Sequence, residues 1–296
     1  MPATAFAPAK INLFLHVGAP QADGYHPLRS LMAFADIGDR LSADPSAAME
    51  VRVRGPSAHA LAHEADNLVA RAARALAAHV RTPLAPFRLT LEKLLPVAAG
   101  LGGGSSDAGA ALRLLREVWG LTLSDAELEA VAASLGADGA ACLFGRPVLA
   151  EGRGERLTPL AALPAIDAVL VNAGPGVSTA KVYGRFDALG VFDPMDIHPE
   201  LPTFEDVIEA ASWLATQRND LEAAARLVEP SVGDVLDTLA SEPEALLARM
   251  SGSGGTCFAL CASDIEAEAL AERMESLAPD WWVRRCRLGG PWPDDT

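Results

Sequence analysis

Basic residues and long apolar runs are scarce in this chain of 296 residues, and each shortage excludes a class of protein. Lysine and arginine total 24 against 39 acidic residues, so the net charge is −15. That balance argues against binding to nucleic acid or to an anionic membrane, because both need a basic face. The longest stretch without a charged side chain is 14 residues, 250–263, whereas a membrane-spanning helix needs about 20.

Cysteine and lysine are also rare. Four cysteines are too few for a disulfide scaffold, and we expect them to be small buried residues in a reducing compartment. The N-terminus lacks the basic start and apolar run of a secretory signal, so a cytoplasmic location is expected. The three lysines are Lys10, Lys93 and Lys181, and their rarity makes each worth examining.

What the chain does have is enough apolar content and length for about two folded domains, since half of its residues are hydrophobic. Residues 6–17 alternate apolar and polar side chains, which predicts a strand with Lys10 and Asn12 on one side. Ser124 and Glu127 form a capping-box pattern at the start of a helix. The other predicted strands include 50–54, 87–92, 165–172, 256–261 and 281–286, and the other predicted helices 67–80, 204–215, 220–227, 232–239, 244–250 and 265–277. This mixture without strict βαβ order predicts an α+β fold.

The most distinctive segment runs from Gly100 to Asp107, between a predicted strand and a predicted helix. Backbone amides in a glycine-rich turn can approach an anion closely, and the helix N-terminus adds partial positive charge, so we predict phosphate binding. The segment is not a Walker A loop, since no lysine follows its last glycine. It is also a poor Rossmann fingerprint, because Ser105 stands where glycine or alanine is needed. A second loop, 251–256, has a similar composition and suggests a polyphosphate held from two sides.

Lys10 and Asp138 are the candidates for catalytic residues. Apolar neighbours around Lys10 suggest that its ammonium enters a cleft. Asp138 lies in a turn after Gly136, where a lone aspartate most often caps a helix. Spacing alone does not pair the two side chains.

Several blocks together resemble the GHMP kinase superfamily in composition, order and separation. These blocks are Ala7–Asn12, Pro96–Ser106 and Met250–Leu260. Further segments resemble the branch that phosphorylates 4-diphosphocytidyl-2-C-methyl-D-erythritol. They are Ala22–His26, the triple glycine with two serines at 102–106, the turn 136–138, and Arg218–Glu222. The resemblance covers essentially the whole chain.

The resemblance implies a two-domain GHMP kinase fold. An ATP-binding domain with a left-handed βαβ unit would span 1–155, a C-terminal domain would span 156–296, and the site would lie between them. The implied reaction is ATP-dependent phosphorylation of the substrate's 2-hydroxyl in the non-mevalonate route to isopentenyl diphosphate. Mg²⁺ would bridge the phosphates, with Ser105 or Ser106 as a possible oxygen ligand. The expected partner is a small molecule, with no nucleic acid or membrane, and the chain is expected to be a monomer or weak homodimer.

Roles for individual residues also follow from the resemblance. Asp138 would accept the hydroxyl proton, and Lys10 would orient the groups and neutralise charge. Tyr25 and Tyr183 would stack on cytosine while His26 reads its edge. The implied ATP-binding residues are Pro96, Val97, Ala98, Ala99, Gly100, Leu101, Gly102, Gly103, Gly104, Ser105, Ser106 and Asn67, the last beside adenine. The implied substrate-binding residues are Asn12, Tyr25, His26, Tyr183, Ser251, Gly252, Ser253 and Gly254.

Two departures from the family pattern and three alternatives stay open at this point. Gly139 and Ala140 follow Asp138 where the family has a bulky apolar residue and proline, which predicts a looser turn, and the tail 289–296 does not align. The alternatives are a GHMP kinase for mevalonate, homoserine or a sugar, a non-catalytic nucleotide-binding protein, and a structural or nucleic-acid-binding protein. Segment 23–26, which suits a pyrimidine, argues against the other GHMP kinases. The presence of both Lys10 and Asp138 argues against a non-catalytic protein, and the acidic charge argues against a nucleic-acid-binding one.

Overall fold

The computed structural model describes residues 3–62, 66–80, 84–160, 163–195 and 200–294. The strands are β1 (Ala3–Val17), β2 (Leu28–Pro45), β3 (Glu50–Arg54), β4 (Phe87–Glu92), β5 (Val148–Gly152), β6 (Arg156–Pro159), β7 (Ile166–Asn172), β8 (Leu247–Met250), β9 (Thr256–Cys261) and β10 (Trp282–Gly289). The helices are α1 (Leu68–Val80), α2 (Gly103–Val118), α3 (Asp125–Ala133), α4 (Gly139–Leu143), α5 (Thr179–Leu189), α6 (Val207–Ala215), α7 (Glu222–Val228), α8 (Ser231–Ala240) and α9 (Asp264–Leu277). A short 3₁₀ turn covers Ala58–Leu61.

The strands form one mixed sheet, which confirms the predicted α+β class. Its main path runs β3–β4–β2–β10–β7–β9–β8, while β1 and β5 also pair with β2, and β6 pairs with β5. Strands β3 and β4 are parallel and joined through α1, which makes a βαβ unit. The other strand pairs are antiparallel. The handedness of the β3–α1–β4 connection stays a prediction.

Strand β1 confirms the predicted strand over 6–17 and is buried along nearly its whole length. Its pairing with β2 shifts register between Pro8 and Lys10, and again between Asn12 and Phe14. Such bulges bend a strand and re-aim the side chains beside them. Lys10 and Asn12 lie between the two shifts and still point to one side, as the hydrogen bond between their side chains shows.

Most of the predicted helices and strands are confirmed, including the Ser124–Glu127 capping box at the start of α3. The predicted helix over 244–250 is wrong, because Leu247–Met250 forms β8 and pairs with β9. Strand pairing wins here because Arg249 projects from β8 into the core, where its guanidinium donates to the carbonyls of Leu13, Leu214 and Gln217. The second Gly/Ser loop therefore joins two strands, not a helix and a strand.

Separate apolar clusters hold the two ends of the sheet. One lies between α1, α2, α3 and the β2–β4 region, and another between α7, α8, α9 and the β7–β9 region. The boundary predicted near Arg156 falls inside the β5–β6 hairpin. The four cysteines are buried and free, as predicted. None of the helices in the described ranges is long and apolar enough to cross a membrane.

The C-terminal tail returns to the first strands of the sheet. The indole nitrogen of Trp292 donates to the carbonyl oxygen of Phe34, 2.9 Å away, on β2. The Asp294 carboxylate accepts hydrogen bonds from the backbone amide of Phe6 on β1 and from the guanidinium of Arg113 on α2. The tail thus fastens the end of the chain to the half of the molecule that is made first.

Candidate active site

A cleft of about 1190 Å³ opens between the two ends of the molecule. Strand β1 and the glycine-rich turn before α2 form its floor, and the loop before β2, the β5–β6 hairpin and helix α5 form its walls. The cleft has the size of a site for a nucleotide and a second small molecule.

Lys10, Asn12 and Asp138 meet in this cleft. The Lys10 ammonium donates to Asn12 Oδ1 at 2.5 Å and lies 3.3 Å from Asp138 Oδ2. The Lys10 side chain is 5% exposed, whereas that of Asp138 is 34% exposed and accessible from the cleft. The side-chain nitrogen of Asn12 donates to Ser30 Oγ, which fixes the amide so that its oxygen faces the ammonium. A cation is therefore held beside a carboxylate that a ligand can reach.

The turn carrying Asp138 is tightly packed, which corrects the looser turn expected from Gly139. A Cβ built on Gly139 would lie 2.0 Å from the carbonyl oxygen of Ala132 on α3. The absence of a side chain lets α3 press directly against the first residue of α4. Asp138 precedes that helix but its side chain makes no capping hydrogen bond, so the carboxylate stays available to the cleft.

The glycine-rich turn presents the N-terminus of α2 to the cleft. Gly102 caps the helix in a left-handed conformation, with φ of +60°, and a Cβ there would lie 2.9 Å from Cε of Lys10. The first turn, from Gly103, contains no acidic residue. The leading amides of a helix have no partner within the helix, so together with the helix dipole they favour an anion. The backbone amide of Lys10 also donates to Leu101, which ties β1 to the turn.

The second Gly/Ser loop braces the glycine-rich turn from the opposite side. Ser251 Oγ donates to the carbonyl of Gly100 and accepts from the backbone amide of Asn12. The amide of Thr256 donates to the carbonyl of Ala99, and that of Val177 to the carbonyl of Ala98. These bonds fix the backbone of the turn before any ligand arrives.

A buried cluster of one lysine and two aspartates lies under the first turn of α2. The Lys93 ammonium is 2.5 Å from Asp39 Oδ2 and 2.7 Å from Asp107 Oδ2, and all three side chains are buried. Burial raises the pKa of Asp107 to about 8, although Lys93 opposes the shift. Burial would lower the pKa of Lys93, but Asp107 and Asp39 outweigh it and raise that pKa. A Cβ on Gly103 would lie 3.0 Å from the Lys93 ammonium, so the cluster supports the turn directly.

Aromatic side chains line the other end of the cleft. Tyr25 is 59% exposed, and Tyr183 is partly buried, a desolvation that raises its pKa to about 12. The His26 ring lies 5.2 Å from the Tyr183 ring, centroid to centroid. Its Nδ1 donates to the carbonyl of Gly18 at 2.8 Å, and its Nε2 is 3.2 Å from Asp187 Oδ1. A flat, partly polar ligand can therefore stack here and meet Nε2 and the Asp187 carboxylate together.

The structure brings most of the residues predicted from sequence to this one cleft. The predicted residues that line it are Lys10, Asp138, every residue from Pro96 to Ser105, Asn67, Asn12, Tyr25, His26, Tyr183, Gly252 and Ser253. Ser106, Ser251 and Gly254 do not: Ser106 is fully buried, and Ser251 acts through the hydrogen bonds to Gly100 and Asn12. Asn67 caps α1 through its side-chain oxygen, which accepts from the amide of Ala70.

Four charged residues of the cleft were missed by the sequence reasoning: Lys93, Asp107, Arg153 and Asp187. The rarity of lysine was the one sequence signal available for Lys93. Arg153 and Asp187 carried none, because each reaches the cleft only through the packing of a hairpin or a helix.

The donor set around the glycine-rich turn suits a metal held mainly by phosphates. No group of three or more histidine, cysteine, aspartate or glutamate side chains within the described ranges is placed to hold a metal ion. Mg²⁺ commonly takes its ligands from substrate phosphates and water, with few from the protein. Ser105, at the N-terminus of α2, faces the cleft and could supply an oxygen.

Two family models match the chain. The GHMP kinases N terminal domain matches residues 67–146, and the GHMP kinases C terminal domain matches residues 198–280. Together the two matches cover more than half of the chain.

Named relatives are similar over nearly their full length. A 4-diphosphocytidyl-2-C-methyl-D-erythritol kinase of Caulobacter sp. (strain K31) is 60% identical over 97% of this chain and 99% of the relative. The protein of the same name from Dinoroseobacter shibae is 48% identical over 95% of this chain and 93% of the relative.

Solved structures have the same fold. A crystal structure of 4-(cytidine 5'-diphospho)-2C-methyl-D-erythritol kinase superposes with a TM-score of 0.77 at 34% identity, covering 98% of this chain and 100% of that one. The L. major mevalonate kinase in complex with R-mevalonate superposes with a TM-score of 0.71 at 18% identity, covering 99% of this chain and 98% of that one, which shows the shared fold alone.

Proposed function

This chain belongs to the GHMP kinases and, within them, to the 4-diphosphocytidyl-2-C-methyl-D-erythritol kinases, and from that premise we propose how its cleft works. It is a kinase of the non-mevalonate route to isoprenoid precursors, with ATP as the phosphoryl donor. The phosphorylated group, we propose, is the 2-hydroxyl of the substrate. The alternatives of a mevalonate, homoserine or sugar kinase, a non-catalytic protein and a nucleic-acid-binding protein are set aside by the identity of its relatives.

We propose that Asp138 is the general base. Its carboxylate is accessible from the cleft and can take the proton of the acceptor hydroxyl as the oxygen attacks phosphorus. Lys10 is placed to orient that carboxylate, from 3.3 Å, and to neutralise charge on the transferred phosphoryl group. Asn12 holds the ammonium in place. Phosphoryl transfer depends mostly on positioning and electrostatics, and this fixed group of three supplies both.

The phosphates of ATP, in this proposal, lie against Pro96–Ser105 and the N-terminus of α2. The braced backbone of the turn supports this, since its amides need no rearrangement to meet an anion. Asn67 lies beside the adenine, where Leu61, Leu68 and Leu91 give the cleft an apolar wall. Mg²⁺, when bound, would neutralise phosphate charge, and Ser105 would supply an oxygen ligand from the protein.

The cytosine of the acceptor, we propose, stacks between Tyr25 and Tyr183. Stacking of a base on an aromatic ring is worth about 1–3 kcal/mol. His26 and Asp187 would face the polar edge of the base, and Gly252 and Ser253 would lie along the rest of the acceptor.

This proposal also includes three broader hypotheses, on the domains, the oligomeric state and the location of the protein. The two family matches on either side of the β5–β6 hairpin support an N-terminal and a C-terminal domain that divide near residue 155. Within the described ranges, the exposed large apolar side chains come from several separate segments of the chain, as at Val191 and Ile265, which supports a monomer or weak homodimer. The four free cysteines support a cytoplasmic location, where thiols stay reduced.

The observation that supports the proposal most directly is the contact of Lys10 with Asn12 and Asp138 beside the glycine-rich turn. We expect Asp138→Asn to lower kcat by about 10²–10⁴-fold, because it removes the base and keeps the shape. ADP release should be measured with ATP, Mg²⁺ and 4-diphosphocytidyl-2-C-methyl-D-erythritol, with mevalonate, homoserine and galactose as comparison acceptors.

Asp125→Asn, at an exposed position on α3, is the matched control and should keep full activity. Calorimetry should find ATP affinity unchanged in Asp138→Asn. Full turnover by Asp138→Asn would refute the assignment of the base, and wild-type turnover confined to another acceptor would refute the cytosine site.

A further inference from the structure

Among the residues described for the cleft, two lysines lie in buried ion pairs, and one arginine is about half exposed. Lys10 is paired with Asp138, and Lys93 is enclosed by Asp39 and Asp107, so both ammonium groups are almost fully buried. Within the described ranges, Arg153 is the one cleft-lining lysine or arginine whose side chain is about half exposed, at 48%. Its guanidinium is the positive charge that a newly arriving anion can reach.

Arg153 lies at the tip of the β5–β6 hairpin. Neighbouring residues of this tip lie close to both ends of the proposed acceptor site. The guanidinium carbon is 4.5 Å from the centroid of the Tyr25 ring, at the cytosine end. The next residue, Gly154, is buried, and a Cβ built on it would lie 3.4 Å from the carbonyl oxygen of Ala137. Ala137 immediately precedes Asp138, at the reacting end.

The acceptor has the same order of parts. Its diphosphate joins the cytidine to the methylerythritol, so it must lie between the stacking site and the catalytic base. Each phosphoryl group of that diphosphate carries negative charge. A guanidinium binds such a group with paired N–H donors, which is the geometry that makes arginine a strong phosphate ligand.

We propose that Arg153 binds the diphosphate of the acceptor substrate. This inference rests on the proposed function, because it takes the positions of cytosine and of Asp138 from it. Without substrate, Asp23 pairs with the guanidinium and the Tyr25 ring supports it from below. Both members of the Asp23–Arg153 pair are about half exposed, and exposed pairs are weak, so a diphosphate can displace Asp23.

The β5–β6 hairpin holds the backbone of Arg153 in place. Its backbone amide donates to the Glu155 carboxylate at 2.5 Å, and β5 pairs with the start of β2, two residues after His26. The arginine is therefore attached to the wall that carries Tyr25 and His26.

Arg153→Gln tests the proposal, with Arg156→Gln as the matched control. Arg156 is on the same hairpin and exposed, but it does not line the cleft. We expect Arg153→Gln to raise KM for the acceptor by about tenfold or more, since a hydrogen bond to a charged group is lost. kcat and KM for ATP should change by less than about twofold. Arg153→Lys should recover part of the loss, because it restores the positive charge but not the paired N–H donors of the guanidinium.

Competition by CDP and by cytidine separates phosphate binding from support of the Tyr25 ring. If Arg153 holds the diphosphate, Arg153→Gln weakens inhibition by CDP by the same factor as it raises KM, and inhibition by cytidine stays constant. Equal weakening of both inhibitors would overturn the proposal and assign Arg153 to stacking, and no change in either would also overturn it. Failure of the proposed function would be seen separately, as absent turnover of the acceptor by the wild type.

Discussion

Asp39 and Asp107 compete for one ammonium group, that of Lys93, and this competition sets a charge balance under the phosphate turn. With Asp107 protonated, the cluster is neutral, and with Asp107 ionised it carries a net negative charge close to the site for ATP phosphates. The pKa of about 8 for Asp107 therefore gives this buried group a proton at neutral pH. Its second oxygen has no hydrogen-bond partner within the described part of the chain, which is consistent with a group that is not fully ionised.

Asp107 makes the free energy of unfolding depend on pH. Its pKa is raised in the folded state from an ordinary value near 4, so between about pH 4 and pH 8 the folded chain holds a proton that the unfolded chain releases. The stability from this group is complete below pH 4, falls as pH rises, and levels off above pH 8. We expect Asp107→Asn to remove that slope and to stabilise the protein at pH 8 relative to the wild type.

Urea unfolding at pH 5 and pH 8 checks this, with the exposed Asp234→Asn on α8 as the control. The difference between wild type and Asp107→Asn should grow with pH, while that for the control should stay constant. A constant difference for Asp107→Asn would contradict the assigned pKa.

Site residues that belong to short motifs could be predicted from the sequence, whereas those placed by packing could not. Lys10, Asn12, Asp138, Tyr25 and His26 stand in short recognisable segments, and the structure brings all five to one cleft. Arg153 and Asp187 reach it from a hairpin tip and from the far end of α5, and nothing in the local sequence separates them from surface charges. Their placement depends on contacts between distant parts of the chain.

At the scale of the element, the turn before α2 is the part whose shape depends most directly on glycine. Gly102 and Gly120 have nearly the same φ, +60° and +59°, but they have different surroundings. A Cβ at Gly102 would contact Lys10, whereas one at Gly120 would meet no heavy atom within 4 Å. The pair thus separates backbone strain from displacement of a catalytic side chain.

We expect Gly102→Ala to lower kcat by about tenfold to a hundredfold, because it pushes Lys10 from its position beside Asp138. Gly120→Ala should leave kcat unchanged. Both substitutions place alanine in the left-handed region, at a cost of about 1 kcal/mol each, and Gly102→Ala should lose further stability because its Cβ displaces the buried Lys10. Steady-state kinetics and thermal unfolding of both variants provide the measurement, and equal activity in the two would contradict the role given to Gly102.

Elements with a strong local pattern were predictable, as for the alternation in β1 and the Ser124–Glu127 capping box. The segment 244–250 was not, because helical spacing of apolar residues can also occur in a short strand. Its state is decided by pairing with β9 and by Arg249, which satisfies three carbonyls from other elements. Strand β2 was not identified at all, since its residues 30–35 are buried on both faces and show no alternation.

At the scale of the whole molecule, the tail joins the end of the chain to β1, β2 and α2. We expect the double variant Trp292→Ala with Asp294→Ala to lose about 2–4 kcal/mol of stability, because a partly buried indole and hydrogen bonds to Phe34, Phe6 and Arg113 are removed. The melting temperature should fall, while KM for ATP stays constant because the tail does not line the cleft.

Asp294→Asn alone is the control for the tail. It keeps an acceptor for the amide of Phe6 and loses only the exposed charge pair with Arg113, so a change below about 1 kcal/mol is expected. An unchanged melting temperature in the double variant would contradict the role of the tail.

The position of β10 in the sheet also bears on how the protein is made. This strand lies between β2 and β7, and the hydrogen bond from Trp292 to Phe34 joins residues that are 258 positions apart. A ribosome releases the chain from its N-terminus, so β2 and β7 emerge long before the strand that separates them. Until β10 follows, the nascent chain carries unpaired sheet edges, which are sites for wrong pairing. We therefore expect the fold, and with it the kinase activity, to be complete only after residue 289 has left the ribosome.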